Sequence, residues 1–184
     1  MIEILQNRVS YPISILSPNS PTDDEWDNIW KCVASAPDYG ALLPYRFIIL
    51  KYDIFKNTIK QLKKLGIDTY PDSADSIIKY WTELMKNTDC MVVSYTIKKP
   101  DEIYPIKDQE YGAISAVTQF YIALNLLGYG TYWISIADDI QQYLKQYLGI
   151  ELENTTITGL FPIGTPTKKR KKKRPSYNKF VQYK

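Results

Sequence analysis

Residues 110–134 read EYGAISAVTQFYIALNLLGYGTYWI. Ala113, Ala116, Val117, Phe120, Ala123, Leu124 and Leu127 recur at helical spacing, which predicts a long helix with one apolar stripe that ends at Gly128. The small residues on that stripe permit close approach by a second helix. The next stretch, TYWISI over residues 131–136, predicts a strand. GYGTYW supplies only the first two glycines of a G-x-G-x-x-G fingerprint and follows a helix instead of a strand. A glycine that caps the helix and turns the chain into a strand is the stronger reading.

Upstream, PTDDEWDNIWKCVASA opens with Thr22 as a candidate N-cap, Glu25 three residues on and acids in the first turn. Trp26, Ile29, Trp30 and Val33 then share one face, so a helix over 22–36 is expected. YRFIILKY reads as a strand over 46–52, and DCMVVSYTI as a strand buried on both faces and paired beside it. Between them lie two helical patterns, FKNTIKQLKKLG stopping at Gly66 and SADSIIKYWTELMKN, joined by a loop IDTYPD. Downstream, Asp138 or Asp139 is the expected N-cap of DIQQYLKQYLGI. TTITGLFPIGTP reads as the last core strand, and NKFVQYK as a strand-like tail. Strands separated by helices, with few hairpin signals, predict an α/β or α+β layer structure.

The composition bounds function. A chain of 184 residues with 45% hydrophobic content can bury one core, and one domain over 1–184 is expected. No run approaches a membrane span, and no basic-then-apolar leader opens the chain, so a cytoplasmic protein without membrane contact is expected. With no histidine and two distant cysteines, Cys32 and Cys90, the common zinc sets and the Ser-His-Asp and Cys-His nucleophiles have no basis. The formal charge of +3 is local: seven of the 23 basic residues form the run Lys168 to Arg174, and the remaining 16 are outnumbered by 20 acids.

Several clusters could carry chemistry. In NRVSYP, residues 7–12, Arg8 and Ser10 either close a short helix on the surface or form the rim of an anion site. The run KKRKKKR is a solvated loop, a nucleic-acid contact or a source of one or two cations for a cofactor phosphate. No nucleic-acid-binding signature accompanies it, so nucleic acid is not the expected partner. The acidic pairs Asp138–Asp139 and Asp108–Glu110 suit helix capping better than acid-base work. The many tyrosines are core or interface residues, or platforms for a planar ligand.

Taken in order, NRVS, APDYGALLPYRFIIL, EYGAISAVTQFYIALNLLGYGTYWI and FPIGTP resemble segments of the FMN-dependent nitroreductase family, in its short single-domain form. The resemblance implies an α+β three-layer fold, a mostly antiparallel central sheet flanked by helices. It also implies a homodimer with FMN at the interface and a tail, 175–184, that embraces the partner after the basic loop 168–174. Arg8 and Ser10, with the backbone of Val9, would hold the phosphate end of the flavin. Ser35 and Tyr39 would approach a flavin from the partner subunit, while Trp133, Ile134 and Ser135 would line it. Lys172 and Arg174, before Pro175, stand where relatives place a K-x-R phosphate clamp. The implied activity is transfer of electrons from NAD(P)H through FMN to nitroaromatic, quinone or related acceptors, in two half-reactions. Because the flavin carries the hydride, a chain without histidine loses nothing by it. The sequence departs from the family pattern at Val9, Leu43, Tyr45 and Ile134, where a second arginine, glutamine, tryptophan and arginine are common. Those departures admit the alternative of a flavin-binding or regulatory protein of the same fold without significant turnover.

Overall fold

The computed structural model describes residues 2–100 and 103–184, with only the backbone of Ile4; Met1 lies outside the described residues. Its framework is an antiparallel sheet built on two long strands, β3 (Cys90–Ile97) and β5 (Thr155–Pro166). Val92 lies opposite Phe161, and the register shifts between Ser94 and Tyr95. On the other side of β3 runs β2 (Tyr45–Lys51), with Tyr45 opposite Thr96 and Lys51 opposite Cys90. The far edge of β5 takes two short strands, β1 (Leu16–Ser17) and β4 (Gly130–Thr131). The order is β1-β5-β3-β2, with β4 also on β5.

Helices cover both faces, so the strand period of two divides the core into two apolar clusters. Cys90, Val92, Phe161 and Ile163 face α2 (Asp23–Ala34) and α5 (Ile106–Leu126). Met91, Val93 and Leu160 face α3 (Tyr52–Thr69), α4 (Ala74–Asn87) and α6 (Asp138–Leu148). The expected α+β arrangement of three layers, and a β3 strand buried on both faces, are what the chain adopts.

The α2–α5 face shows why the sequence folds this way. Ala113, Ala116 and Val117 leave room for the aromatic side of α2, where Trp30 stacks between Trp26 at 5.3 Å and Phe120 at 5.7 Å. The capping box at Thr22 forms as read: Glu25 N–H donates to Thr22 Oγ1, and Thr22 N–H donates to Glu25 Oε2 at 2.8 Å. At the end of α5, Gly128 takes φ +89°, its N–H donates to Asn125 O, and Tyr129 N–H donates to Leu124 O. That double bond pattern is the glycine stop anticipated from GYG. The Tyr129 hydroxyl then donates to Glu25 Oε2 at 2.9 Å, so the start of α2 is tied to the end of α5.

Four local expectations are corrected. TYWISI is not a strand: β4 ends at Thr131, and Ile134 makes only an isolated bridge to Leu160. Tyr132 and Trp133 stay partly exposed, so β-forming residue types found no pleated surface to cover. The helix of FKNTIKQLKKLG does not stop at Gly66, and IDTYPD is helical as far as Thr69. Gly66 serves close packing there, since a Cβ would meet Ile77 of α4 at 3.3 Å. The N-cap of α6 is Ala137, with Asp138 and Asp139 in its first turn, where carboxylates still complement the helix dipole. The tail is no strand; Tyr177–Lys179 forms a 3-10 turn, and Phe180, Val181 and Tyr183 are exposed. Among the described residues, no helix is long and apolar enough to cross a membrane.

Candidate functional site

A short helix, α1 (Ile2–Asn7), delivers the chain to Arg8, and α5 fixes the residues after it. Val9 is buried and donates its N–H to Asn125 Oδ1 at 3.1 Å. Tyr11 N–H donates to Thr131 O at 3.0 Å, and the Tyr121 hydroxyl donates to the same carbonyl at 2.8 Å. Tyr121 and Asn125 stand four residues apart on one helix face, so a single polar stripe of α5 holds residues 9–11 beside 129–131. The Arg8 guanidinium lies over the Tyr121 ring, 5.0 Å from its centroid. Burial pushes the Tyr121 phenol above its usual range, and the Ser10 hydroxyl and Arg8 charge partly offset this. The phenol therefore stays protonated at neutral pH and serves as a donor.

The basic run completes this corner from the other end of the chain. Thr167 N–H donates to Ile15 O, Arg170 Nη1 donates to Ser10 O at 2.6 Å, and Arg174 donates through Nε to Gln6 O at 3.1 Å. Arg174 Nη2 also donates to Arg8 O. Each guanidinium offers five N–H groups, so donors remain on both. Among the described residues, none of the ion pairs involves Arg8, Arg170 or Arg174. A hollow of about 290 Å³ opens beside Arg8, lined by Glu3, Asn7, Arg8, Tyr11 and Asn125. Three guanidiniums without an ion-pair partner among the described residues, with the Ser10 hydroxyl, suit a phosphate monoester; among the described residues Glu3 is the one carboxylate lining the hollow. Lys172 is exposed and makes no hydrogen bond to the corner among the described residues.

Beyond Thr131 the chain crosses β5. Ile134 exchanges both backbone bonds with Leu160 at 2.9 Å, and Trp133 Nε1 donates to Thr158 O at 3.0 Å. The indole sits on Gly159, where a Cβ would lie 2.3 Å from Nε1, and its ring centroid is 5.4 Å from that of Phe161. Ser135 is exposed. The segments 8–11 and 131–135 are thus side by side on one edge of the molecule, joined by the Tyr11–Thr131 bond.

The nitroreductase family profile matches residues 7–165, from this corner to the last core strand. The chain belongs to the nitroreductase family. A search of curated proteins finds no match. Solved structures share the fold. A nitroreductase-like family protein from Bacillus cereus, 14% identical, has a TM-score of 0.79 over 99% of this chain and 94% of its own. The nitroreductase CinD from Lactococcus lactis, solved with chloramphenicol, is 16% identical, with a TM-score of 0.78 over 100% and 99% of the two chains. A protein from Desulfovibrio desulfuricans solved in complex with FMN is 14% identical, with a TM-score of 0.73 over 100% and 96%.

In this nitroreductase family member, Ser35 and Tyr39 lie apart from the corner, in the loop between α2 and β2. Ser35 Oγ donates to Cys32 O at 2.7 Å, and exposed Tyr39 meets Tyr104 edge-on at 5.0 Å. The loop is tightly bent: Gly40, Ala41 and Leu43 all take positive φ, and Asp38 Oδ2 accepts from Leu43 N–H at 2.6 Å. For Ala41 and Leu43 that conformation costs roughly 1–2 kcal/mol each. A cleft of about 480 Å³ lies here between Pro37, Asp38, Tyr39, Asp108 and Tyr111.

Sequence reasoning missed Arg170, Tyr121 and Asn125. Asn125 carried a signal, a lone amide inside the apolar run IALNLL. Arg170 and Arg174 are the two arginines within a lysine-rich run, and planar forks are the side chains expected to seek several carbonyls at once.

Proposed function

We propose that this chain is an FMN-dependent oxidoreductase that uses NAD(P)H to reduce nitroaromatic, quinone or related acceptors in two half-reactions, as a homodimer with FMN at the interface. The observation that carries the reading is the corner: Arg8, Ser10, Arg170 and Arg174 converge from the two ends of the chain with no carboxylate partner within ion-pair distance among the described residues. That donor set fits the phosphate of FMN. The FMN complex of the Desulfovibrio protein and the chloramphenicol complex of CinD, both on this fold, favour the same class.

When bound, FMN supplies the hydride chemistry, taking electrons from NAD(P)H and passing them to the acceptor. The chain's own residues would do the rest. Arg8 and Arg174 would neutralise the phosphate, and Ser10 would add a hydroxyl bond. The Val9 N–H is already engaged by Asn125, so that backbone group would position the segment more than bind. Trp133, Ile134 and Ser135 would line the cofactor, and Ser35 and Tyr39 would reach a flavin bound by the partner. Lys172 would remain in solvent. Support for a homodimer comes from α5, where Tyr111, Ile114, Thr118 and Leu126 are exposed along one side.

A second reading, flavin binding without useful turnover, is favoured by Val9, a buried apolar side chain where a cation would strengthen the corner. Titration with FMN, followed by anaerobic addition of NADH or NADPH, tests both. Uptake with bleaching of the flavin bands supports the oxidoreductase, uptake without bleaching supports the second reading, and no uptake overturns both.

A further inference from the structure

Just past the Tyr11–Thr131 bond, which sets residues 8–11 against 131–135, lies a second pocket. It holds about 270 Å³ and is lined by Pro12, Ile13, Ser14, Tyr132 and, from α4, Tyr80 and Glu83. This is less than a whole nucleotide cofactor needs but of the order of a fused planar ring. The pocket adjoins both stretches assigned to the cofactor, two residues beyond Ser10 and one before Trp133, and α4 packs on the Ile13–Ile15 turn as its third wall.

Among the described residues, Glu83 is the only charged side chain lining this space. It is half-buried, and among the described residues it is in none of the ion pairs. The Tyr80 phenol is pushed up to about 12 by burial and then by Tyr132, so it stays neutral in the working range. None of the corner's cations lines this pocket: Arg174 lies toward Gln6 and Arg8, and Arg170 on the Ser10 carbonyl. Among the described residues, a ring in this pocket would therefore meet one lining carboxylate and no lining cation, while the guanidiniums gather at the phosphate end.

We propose that the Glu83 carboxylate disfavours negative charge in the ring pocket, and so lowers the reduction potential of the bound flavin. Accepting a hydride, two electrons with one proton, adds one negative charge to the ring unless a second proton is taken up. A carboxylate beside it weakens binding of the reduced form relative to the oxidised form. The same field would select neutral or cationic acceptors over anionic ones. The inference rests on the flavin reading of the corner.

The test is the midpoint potential of protein-bound FMN, with the affinity for oxidised FMN measured alongside, in wild type and Glu83→Gln. Glu83→Gln should change the ratio of reduced to oxidised affinities about three- to tenfold in favour of the reduced form; tenfold corresponds to roughly 30 mV upward for a two-electron couple. Glu83→Lys should move it further in the same direction, which guards against a mere packing effect. FMN binding by all three with one common potential, or a downward shift, would overturn the proposal and leave the flavin reading standing. Failure of the wild type to take up FMN would overturn both.

Discussion

The α2–α5 face and the corner at Arg8 are built by opposite means. On the first, contacts are apolar and buried, and their period is written in two continuous stretches of sequence: Trp26, Ile29 and Val33 against Ala113, Ala116 and Phe120. In the second, Arg8 and Ser10 meet Arg170 and Arg174 across more than 150 residues, through exposed polar contacts that add little to stability. Stability and ligand chemistry are therefore separable in this chain. Substitutions on the apolar face should lower the melting temperature, and those in the corner should change what is bound.

The largest effect is expected at Phe120, fully buried between Trp30, Phe47 and Phe161. Phe120→Ala should cost about 3–5 kcal/mol in denaturant unfolding. A loss below about 1 kcal/mol would show that the stack is not the core of this layer. Gly159→Ala probes the boundary between the two regions. Its methyl group would displace the Trp133 indole, costing about 1–3 kcal/mol, and should alter tryptophan fluorescence.

Thr22→Ala should cost about 1 kcal/mol by removing the cap of α2. The companion Glu25→Gln has a pH signature. Hydrogen bonds from the Thr22 N–H, and then from the Tyr129 hydroxyl, hold the Glu25 carboxyl below its usual range. Its contribution is thus present above the unfolded value and lost as pH falls through the lower, folded one. The stability gap between wild type and Glu25→Gln should be constant near neutrality and close below about pH 4. A gap that persists unchanged well below that pH would remove the cap from the account. The smallest effect is expected for Lys168, Lys169 and Lys171 changed together to Gln, since all three are exposed. FMN affinity should stay within about twofold at moderate salt; a large loss would extend the clamp along the run.

The features legible in the sequence divide along the same line. The Thr22 box, the Gly128 stop and the long helix each depend on residues near one another in sequence, or on a pattern repeated over several turns, and the strands 45–51 and 90–97 are each legible as one continuous apolar run. TYWISI failed because strand propensity reports fit to a pleated, half-buried surface, and beyond Thr131 the backbone pairs with β5 only at the isolated bridge of Ile134. Gly66 failed as a stop because the tertiary neighbour Ile77 gives that glycine a packing role inside α3. In the corner, Arg8 and Ser10 were legible as candidates, but the choice of Arg170 beside Arg174, with Lys172 left in solvent, depends on how the tail crosses residues 6–10. No period or spacing encodes that crossing.

The claim that this corner holds a cofactor phosphate is tested most directly by titrating FMN into wild type, Arg8→Ala and Arg174→Ala while recording their melting temperatures without ligand. Wild type should bind FMN, and each variant should lose about 1.5–3 kcal/mol of affinity as a charge-assisted bond to phosphate disappears. Melting temperatures should stay within the range of ordinary surface substitutions. Equal FMN affinity in all three proteins would contradict the account.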